Sequence, residues 1–253
     1  MLSKALQKRI SSLENKKHRK ESGLFVAEGG KTVLDLLAAG LKAEKLIATT
    51  EWLQEHNIHS DTEVKVIEVS NEEMKRISFQ QAPQGVMGIF HQPQHIMDSS
   101  VPERELCLAL DNVQDPGNLG TIVRIADWFG IENIYCSIGT ADIYNPKTIQ
   151  ATMGAVGRVK VHYVDLPVFI ASIKAKTAIY GTFLDGDDIY KKELKPTGLI
   201  IMGNEGNGIS QECSKHVTEK LFIPNYPAGR ETSESLNVSV ATAIICSEFR
   251  RRN

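Results

Sequence analysis

The sequence predicts an α/β protein built from two domains, and three observations lead to this fold class. Helical and strand-like patterns alternate over residues 1–91, which is typical of a small α/β domain. Residues 92–103 are polar, contain prolines and show no periodicity, so we predict a linker there. Over residues 104–253 short apolar strands again alternate with helices, and the first of them form a βαβ unit, as in parallel sheets.

The composition is ordinary for a globular protein and excludes several classes. Of the 253 residues, 42% are hydrophobic and 24% are charged, and no apolar run reaches the roughly eighteen residues of a membrane span. The N-terminus lacks the apolar centre of a signal peptide. The four cysteines (Cys107, Cys136, Cys213 and Cys246) are far apart, which predicts buried reduced thiols. We therefore expect a cytoplasmic protein.

The elements of the first domain follow from apolar periodicity and turn residues. Residues 3–17 carry the apolar stripe of a helix, and Ser70 with Glu73 three residues later marks another helix start. We predict strands over residues 24–26, 45–48, 65–69 and 85–90, and further helices over residues 32–39 and 51–56.

Basic residues are concentrated at the N-terminus, although the formal net charge of the chain is −2. The densest part holds Lys16, Lys17, Arg19 and Lys20. Such a cluster is either a solvated helix face or a patch that contacts phosphate groups, and composition leaves both interpretations open.

The second domain begins with a buried strand over residues 106–110 and a loop over residues 111–117. We expect Asn118 to cap a helix that runs to Phe129 and ends at Gly130. Further strands are predicted over residues 131–136, 159–164, 178–182, 199–202 and 221–223, with helices over residues 166–174 and from Ser235 or Asn237 to the C-terminus.

Arg124 is a charged residue in an otherwise apolar stretch of the helix predicted after Asn118. Residues 122–126 are otherwise apolar, so a charged side chain lies among core-forming residues and needs partners. The partner is either a local acid, such as Asp115 or Asp127, or a bound molecule.

Segment 203–208 (Gly-Asn-Glu-Gly-Asn-Gly) is a second candidate site, since it follows a buried strand and precedes a helix start at Ser210. Glycines let the backbone approach a ligand closely, although a plain turn has the same composition. The segment is neither a dinucleotide fingerprint nor a P-loop, which disfavours a nicotinamide-dependent oxidoreductase.

The third candidate lies near the C-terminus, where Pro224 stops a strand and a polar loop leads to Ser235-Leu236-Asn237 at a helix start. This arrangement suits either a ligand site or a well-capped core helix.

Together these segments resemble the three motifs of the SpoU (TrmH-like) family of RNA ribose 2′-O-methyltransferases, in the SPOUT superfamily. The first match is Asn112-x-x-Asp115-Pro-x-Asn118-x-Gly120-x-x-x-Arg124, the second is the glycine-rich segment with Glu205, and the third is Ile223-Pro224 with Ser235-Leu236-Asn237. The phrase from Ser12 to Gly29 resembles the L30e-like substrate-binding domain that precedes many of these enzymes.

Two departures from the family pattern stand out. Gln150 and Thr152 occupy positions where many members carry Arg and Ser, so any RNA contact by that Arg is missing. The loop between Pro224 and Ser235 is several residues longer than in many members.

The resemblance implies methyl transfer from S-adenosylmethionine to a ribose 2′-hydroxyl, most readily of 23S ribosomal RNA. The alternatives are a transfer-RNA enzyme or an inactive RNA-binding homologue. It further implies a parallel-sheet domain with a deep trefoil knot after the L30e-like domain, a homodimer formed through the knotted domain, and no metal or membrane.

The resemblance also implies three sets of site residues. The catalytic set is Arg124, Asn118, Glu205, Ser235 and Asn237. The cofactor-binding set is Gly203, Asn204, Gly206, Gly208, Leu221, Ile223, Pro224, Ser235 and Leu236. The RNA-binding set is Lys16, Lys17, Arg19 and Lys20.

Overall fold

The computed structural model describes residues 2–56, 64–227 and 235–252. Contacts divide it into an N-terminal unit, Met1–Gln94 with Asp142–Arg158, and a C-terminal unit, His95–Ala141 with Val159–Asn253. The first division falls next to the predicted linker. The sequence-based division did not anticipate that residues 142–158, which lie within the second half of the chain, group with the N-terminal unit.

The first half of the chain contains α1 (Lys4–Ser12), α2 (Lys16–Ser22), β1 (Leu24–Glu28), α3 (Gly30–Ala38), β2 (Ala43–Thr49), α4 (Thr50–Glu55), β3 (Lys65–Val69), α5 (Asn71–Ile77) and β4 (Val86–His91). Its strands form a sheet in the order β1-β4-β2-β3, in which β4 runs antiparallel to both neighbours. Helices α1 and α5 add Ile10 and Met74 to the apolar core on this sheet. The predicted small α/β domain is confirmed.

The single helix predicted over residues 3–17 is wrong, because two helices occupy this region. Ser3 caps α1, and the side chain of Asn15 caps α2 by accepting a hydrogen bond from the N–H of Lys17 at 2.9 Å. An asparagine favours such a cap over a helix interior, so the chain stops and restarts there.

Arg19 lies on α2 and is 2% exposed. Its guanidinium donates to Asp142 Oδ2 at 2.5 and 3.1 Å and to the carbonyls of Leu13 and Glu14, both at 2.7 Å. The prediction that Arg19 binds RNA does not fit this geometry, because these partners already occupy a guanidinium that is enclosed by protein. Arg19 instead ties residues 142–158 to α2.

The second half of the chain contains β5 (Leu106–Leu110), α6 (Pro116–Trp128), β6 (Asn133–Ser137), α7 (Pro146–Thr152), β7 (Lys160–Val164), α8 (Leu166–Ala171), β8 (Ile179–Asp188), β9 (Gly198–Met202), α9 (Gln211–Ser214), β10 (Glu219–Phe222) and α10 (Val238–Arg251). Helix α7 belongs to the N-terminal unit, where it packs on β1. The six strands of the C-terminal unit form one sheet in the order β10-β8-β9-β5-β6-β7. Every neighbouring pair is parallel, which confirms the predicted parallel-sheet domain.

Two predicted boundaries in the C-terminal unit are wrong. The cap of α6 is Asp115 rather than Asn118, because the Asp115 carboxylate accepts the N–H of Asn118 at 2.8 Å and Pro116 begins the helix. Strand β8 runs six residues beyond its predicted end at Thr182 and pairs with β10 through a register shift at Lys220/Leu221.

The basic end of α10 holds the C-terminus in place. Arg250 donates to the carbonyls of Phe129 at 2.7 Å and Gly130 at 3.0 Å, next to the end of α6. Hydrogen bonds from Arg251 and then Arg252 lower the pKa of Glu248 to about 2. The positive charges also lie at the helix end where the helix dipole favours them. The trefoil knot stays a prediction.

Within the described residues, no helix combines the length and the apolar character needed to cross a membrane.

Candidate functional site

Three loops meet at the carboxyl ends of the parallel strands. They follow β5, β9 and β10, and they lead into α6, α9 and α10 respectively. Strands β5 and β9 are neighbours in the sheet, so their loops leave the same edge side by side. Each loop contains one of the three candidate segments found in the sequence.

A chain of side-chain hydrogen bonds joins the three loops. Asn118 donates from Nδ2 to Glu205 Oε1 at 2.9 Å, and its Oδ1 accepts from Asn237 Nδ2 at 3.0 Å. These residues are 87 and 119 positions apart from Asn118 in the chain, and the fold alone brings them together. We call Glu205–Asn118–Asn237 the relay.

Helix starts fix the two asparagines of the relay. The Asp115 cap sets the first turn of α6, from which the Asn118 side chain projects. Asn237 is itself the cap of α10, since its Oδ1 accepts the N–H of Ser239 at 3.0 Å and the hydroxyl of Ser239 at 2.6 Å. Because Asn237 Oδ1 faces these donors, its amide nitrogen faces Asn118. Of the two residues proposed from sequence as the α10 cap, the structure selects Asn237.

The glycine-rich loop is folded tightly back on itself. Asn204 and Gly208 exchange backbone hydrogen bonds of 2.9 Å, and the Asn204 side chain accepts the N–H groups of Gly206 and Asn207. Gly208 has φ of 68°, which favours glycine. A β-carbon on Gly203 would lie 2.2 Å from the carbonyl carbon of Gly208, so the loop closes only without a side chain there.

A cavity of about 520 Å³ lies beside the loops. Its lining includes all but one of the predicted cofactor-binding residues: Gly203, Asn204, Gly206, Gly208, Leu221, Ile223, Ser235 and Leu236. Glu205 also lines it, whereas Pro224 does not. The lining combines backbone polar groups of the glycine-rich loop with aliphatic side chains from β10 and α10.

The sequence analysis did not identify the residues of β8 that line one side of this cavity. Residues Thr182, Phe183 and Leu184 line it because β8 continues past its predicted end. Gly186 permits this extension, since a β-carbon there would lie 2.6 Å from the backbone of Leu221. The apolar pair Phe183-Leu184 directly after the predicted strand was the signal available in the sequence.

Helix α10 presents an apolar stripe to the cavity. Val238, Ala241 and Ile245 line the cavity, whereas Val240 is 48% exposed. The residues that line it recur at a spacing of three and four, as on one face of a helix.

Arg124 lies on the exposed face of α6, between the buried residues Ile122, Val123 and Ala126. It forms no hydrogen bond or ion pair with any residue in the described ranges, so neither Asp115 nor Asp127 neutralises it. Of the two partners considered from the sequence, the described residues do not provide the local acid, because the helix turns this side chain outward, and a bound molecule is the alternative that is left. The guanidinium is available to an incoming anion.

The remaining predicted residues lie in the N-terminal unit. Lys16, Lys17 and Lys20 are exposed on α2, whereas Arg19 is buried. Gln150 is exposed on α7, and the Thr152 hydroxyl is buried and donates to the carbonyl of Ile149 at 2.7 Å. Among the described residues there is no cluster of His, Cys, Asp and Glu that could hold a metal ion.

Both parts of the chain match the models of known protein families. Residues 105–247 match the model of the SpoU rRNA Methylase family, and residues 6–88 match the MRM3-like substrate binding domain. Among curated proteins, the chain is 30% identical to the 23S rRNA (guanosine(2553)-2'-O)-methyltransferase RlmP of Bacillus subtilis over 242 residues, which cover 94% of this chain and 93% of the relative.

Two solved structures resemble the whole chain. A putative RNA methyltransferase of the TrmH family from Porphyromonas gingivalis has 37% identity and a TM-score of 0.89, with full coverage of both chains. An AdoMet-bound rRNA methyltransferase from Sinorhizobium meliloti has 31% identity and a TM-score of 0.84, and covers 100% of this chain and 96% of its own. The chain therefore belongs to the SpoU rRNA methylase family of S-adenosylmethionine-dependent enzymes.

Proposed function

We propose that this protein methylates a ribose 2′-hydroxyl of 23S ribosomal RNA, with S-adenosylmethionine as the methyl donor. The observation that carries the proposal is the relay, which joins Asn118 and Asn237 to Glu205, a residue that lines the cavity. Arg124 lies on the same helix as Asn118 and has no ion pair within the described part of the chain, so its guanidinium is the group expected to meet the RNA backbone.

The cavity suits S-adenosylmethionine in size and chemistry. About 520 Å³ accommodates a nucleoside joined to an amino acid, within the usual range of ligand pockets. Leu221, Val238 and Ile245 give an apolar surface for a purine ring, and Gly203 lets backbone groups approach the ligand closely. Bound there, the donor supplies a methyl group on a positively charged sulfur, so the leaving group needs no metal for activation.

Arg124 acts on the RNA. Its guanidinium binds a phosphate oxygen next to the target ribose and stabilises the negative charge that develops on the 2′-oxygen. In the transfer the bond from oxygen to the methyl carbon forms, the bond from that carbon to sulfur breaks, and the hydroxyl proton passes to water. A guanidinium does not serve as a literal base, because it scarcely loses its proton in proteins.

The relay orients the groups around the reacting ribose. Glu205 accepts from the Asn118 amide, and Asn118 accepts from the Asn237 amide, so each side chain has one defined orientation. Asn118 and Asn237 each keep one amide hydrogen outside the relay for an oxygen of the ribose or cofactor. Ser235 lines the cavity beside them and offers a further hydroxyl.

Ribosomal RNA is favoured over transfer RNA because a second, separately folded unit accompanies the catalytic one. Its α2 presents Lys16, Lys17 and Lys20 to solvent, which suits phosphate contact on a large RNA. The acceptor is the hydroxyl that distinguishes RNA from DNA. Four buried, unpaired cysteines agree with a reducing cytoplasm.

A homodimer is part of the proposal. Trp128 on α6 is 84% exposed and Val240 on α10 is 48% exposed, and these two helices pack against each other. Exposed apolar side chains on two helices that pack together are compatible with an interaction site. A second copy of the chain would cover them.

Mapping ribose methylation across total RNA tests the function. A deletion strain should lack methylation at a single position of 23S RNA, and the wild-type gene should restore it. Arg124→Ala should not restore it, yet the purified variant should bind S-adenosylhomocysteine with wild-type affinity, because Arg124 does not line the cavity. A complete methylation map in the deletion strain would refute the assignment.

Gly203→Ala should weaken S-adenosylhomocysteine binding by about 1–3 kcal/mol in titration calorimetry, because the new β-carbon collides with Gly208. Gly206→Ala is the matched comparison, since its nearest neighbour would be Asn204 Oδ1 at 3.6 Å, and it should cost far less. Equal effects would show that the tight closure of the loop is unimportant.

Replacing Lys16, Lys17 and Lys20 by Gln should weaken RNA binding and reduce the slope of log affinity against log salt by about two. The control replaces Lys174, Lys191 and Lys215, three exposed lysines of the other unit, and should change the slope less. An unchanged slope in the first variant would exclude α2 from the RNA surface.

Trp128→Glu should convert the proposed dimer to monomers in light scattering, because it places a charge in the apolar contact. Val168→Glu alters another exposed apolar side chain, on α8, and should leave the dimer intact. A dimer that survives the Trp128 substitution would place the interface elsewhere.

A further inference from the structure

A second network of hydrogen bonds centres on Asp111 and Asn112, to which no role is given above. Asp111 directly follows β5 and is 3% exposed. Its Oδ2 accepts the backbone N–H of Ser210 at 2.8 Å, and its Oδ1 accepts Nδ2 of Asn112 at 3.2 Å. The carboxylate thus connects the end of β5 to the start of α9.

Asn112 makes the other half of the network. Its φ is 56°, a left-handed conformation that asparagine tolerates better than most residues. In this conformation its N–H donates to Oγ of Ser137, the last residue of β6, at 2.9 Å, and its carbonyl accepts from Asn204 Nδ2, after β9, at 2.7 Å. Its Oδ1 fits against Gly139, where a β-carbon would approach to 2.0 Å.

The two residues hold opposite ends of the glycine-rich loop. Asn112 fixes Asn204 near the beginning of the loop, and Asp111 fixes Ser210 just after its end. Between these points, glycines at 206 and 208 give the backbone much freedom, which costs entropy when a ligand orders it. External contacts at both ends reduce that cost.

We propose that Asp111 and Asn112 are positioning residues, which hold the glycine-rich loop in its ligand-binding conformation and so set the affinity for the cofactor. The inference rests on the proposed function, because it assumes that the cavity binds S-adenosylmethionine. Neither side chain lines the cavity, so their effect passes through Asn204 and Ser210.

The Asp111 carboxylate is buried in the protein. Burial, together with smaller effects that include the negative charge of Asp111, raises the pKa of the neighbouring Cys213 to about 12. Away from water, each hydrogen bond to a charged acceptor contributes strongly to stability. A buried donor that has no acceptor destabilises the fold. Removing the charge without changing the shape is therefore an informative perturbation.

Asp111→Asn supplies that perturbation. An amide accepts through its oxygen only, so either the Ser210 N–H or the Asn112 Nδ2 must face an NH₂ group. We expect the dissociation constant of S-adenosylhomocysteine to rise about tenfold or more in calorimetry. Amide hydrogen exchange should increase across residues 203–210 and stay unchanged in β7, at the far edge of the sheet.

A control variant and a compensating double variant both use the same exchange of a carboxylate for an amide. Asp165→Asn makes an identical change at an exposed Asp that caps α8, and should leave cofactor affinity unaltered. In the double variant Asp111→Asn/Asn112→Asp, the amide and the carboxylate exchange places. The oxygen at position 111 can then accept from Ser210 while its NH₂ donates to position 112, so most of the lost affinity should return.

Three results would overturn the inference. Asp111→Asn could bind like the wild type with normal exchange over residues 203–210. It could instead raise exchange uniformly across the sheet, which would indicate general destabilisation without a positioning role. If the wild-type protein itself fails to bind S-adenosylhomocysteine, the proposed function fails, and this inference with it.

Discussion

The side-chain amide of Asn118 connects three segments of the chain that no local interaction could bring together. One of its sides faces the Glu205 carboxylate at 2.9 Å and the other faces the Asn237 amide at 3.0 Å. An asparagine is suited to this position, because it donates and accepts in opposite directions and so fixes the orientation of both neighbours. The cavity walls, the glycine-rich loop and the start of α10 are all arranged around this contact.

The parallel sheet is what makes the contact possible. Since every strand of the C-terminal unit runs the same way, each strand-end loop leaves the same edge. Asp111 and Asn112 then join the loops after β5 and β9 to the last residue of β6, and the relay joins the segments that follow β5, β9 and β10. The site is therefore held by two networks, and each reaches the cavity through one residue of the glycine-rich loop: Glu205 in the relay and Asn204 in the network of Asp111 and Asn112.

The sequence was most informative where the pattern was local. Strands β3 and β5 have the predicted bounds, and the capping box at Ser70 and Glu73 is present. The segments of the site were identified from their motifs, and eight of the nine predicted cofactor residues line one cavity. Apolar alternation and caps depend on near neighbours, which a single sequence displays directly.

Features that depend on distant contacts were not predictable in the same way. Arg19 looks like its exposed lysine neighbours in sequence, yet Asp142, 123 residues away, makes it a buried structural residue. The exposure of Arg124 depends on how α6 packs, and the extension of β8 depends on Gly186 meeting β10. In each case the deciding partner is remote in the chain.

A crystal structure of the protein with bound S-adenosylhomocysteine tests the central claim most directly. We expect the ligand in the cavity between the glycine-rich loop, β10 and the start of α10, with the Glu205–Asn118–Asn237 hydrogen bonds intact beside it. A ligand bound elsewhere, or a complex in which Asn118 contacts neither Glu205 nor Asn237, would contradict this account.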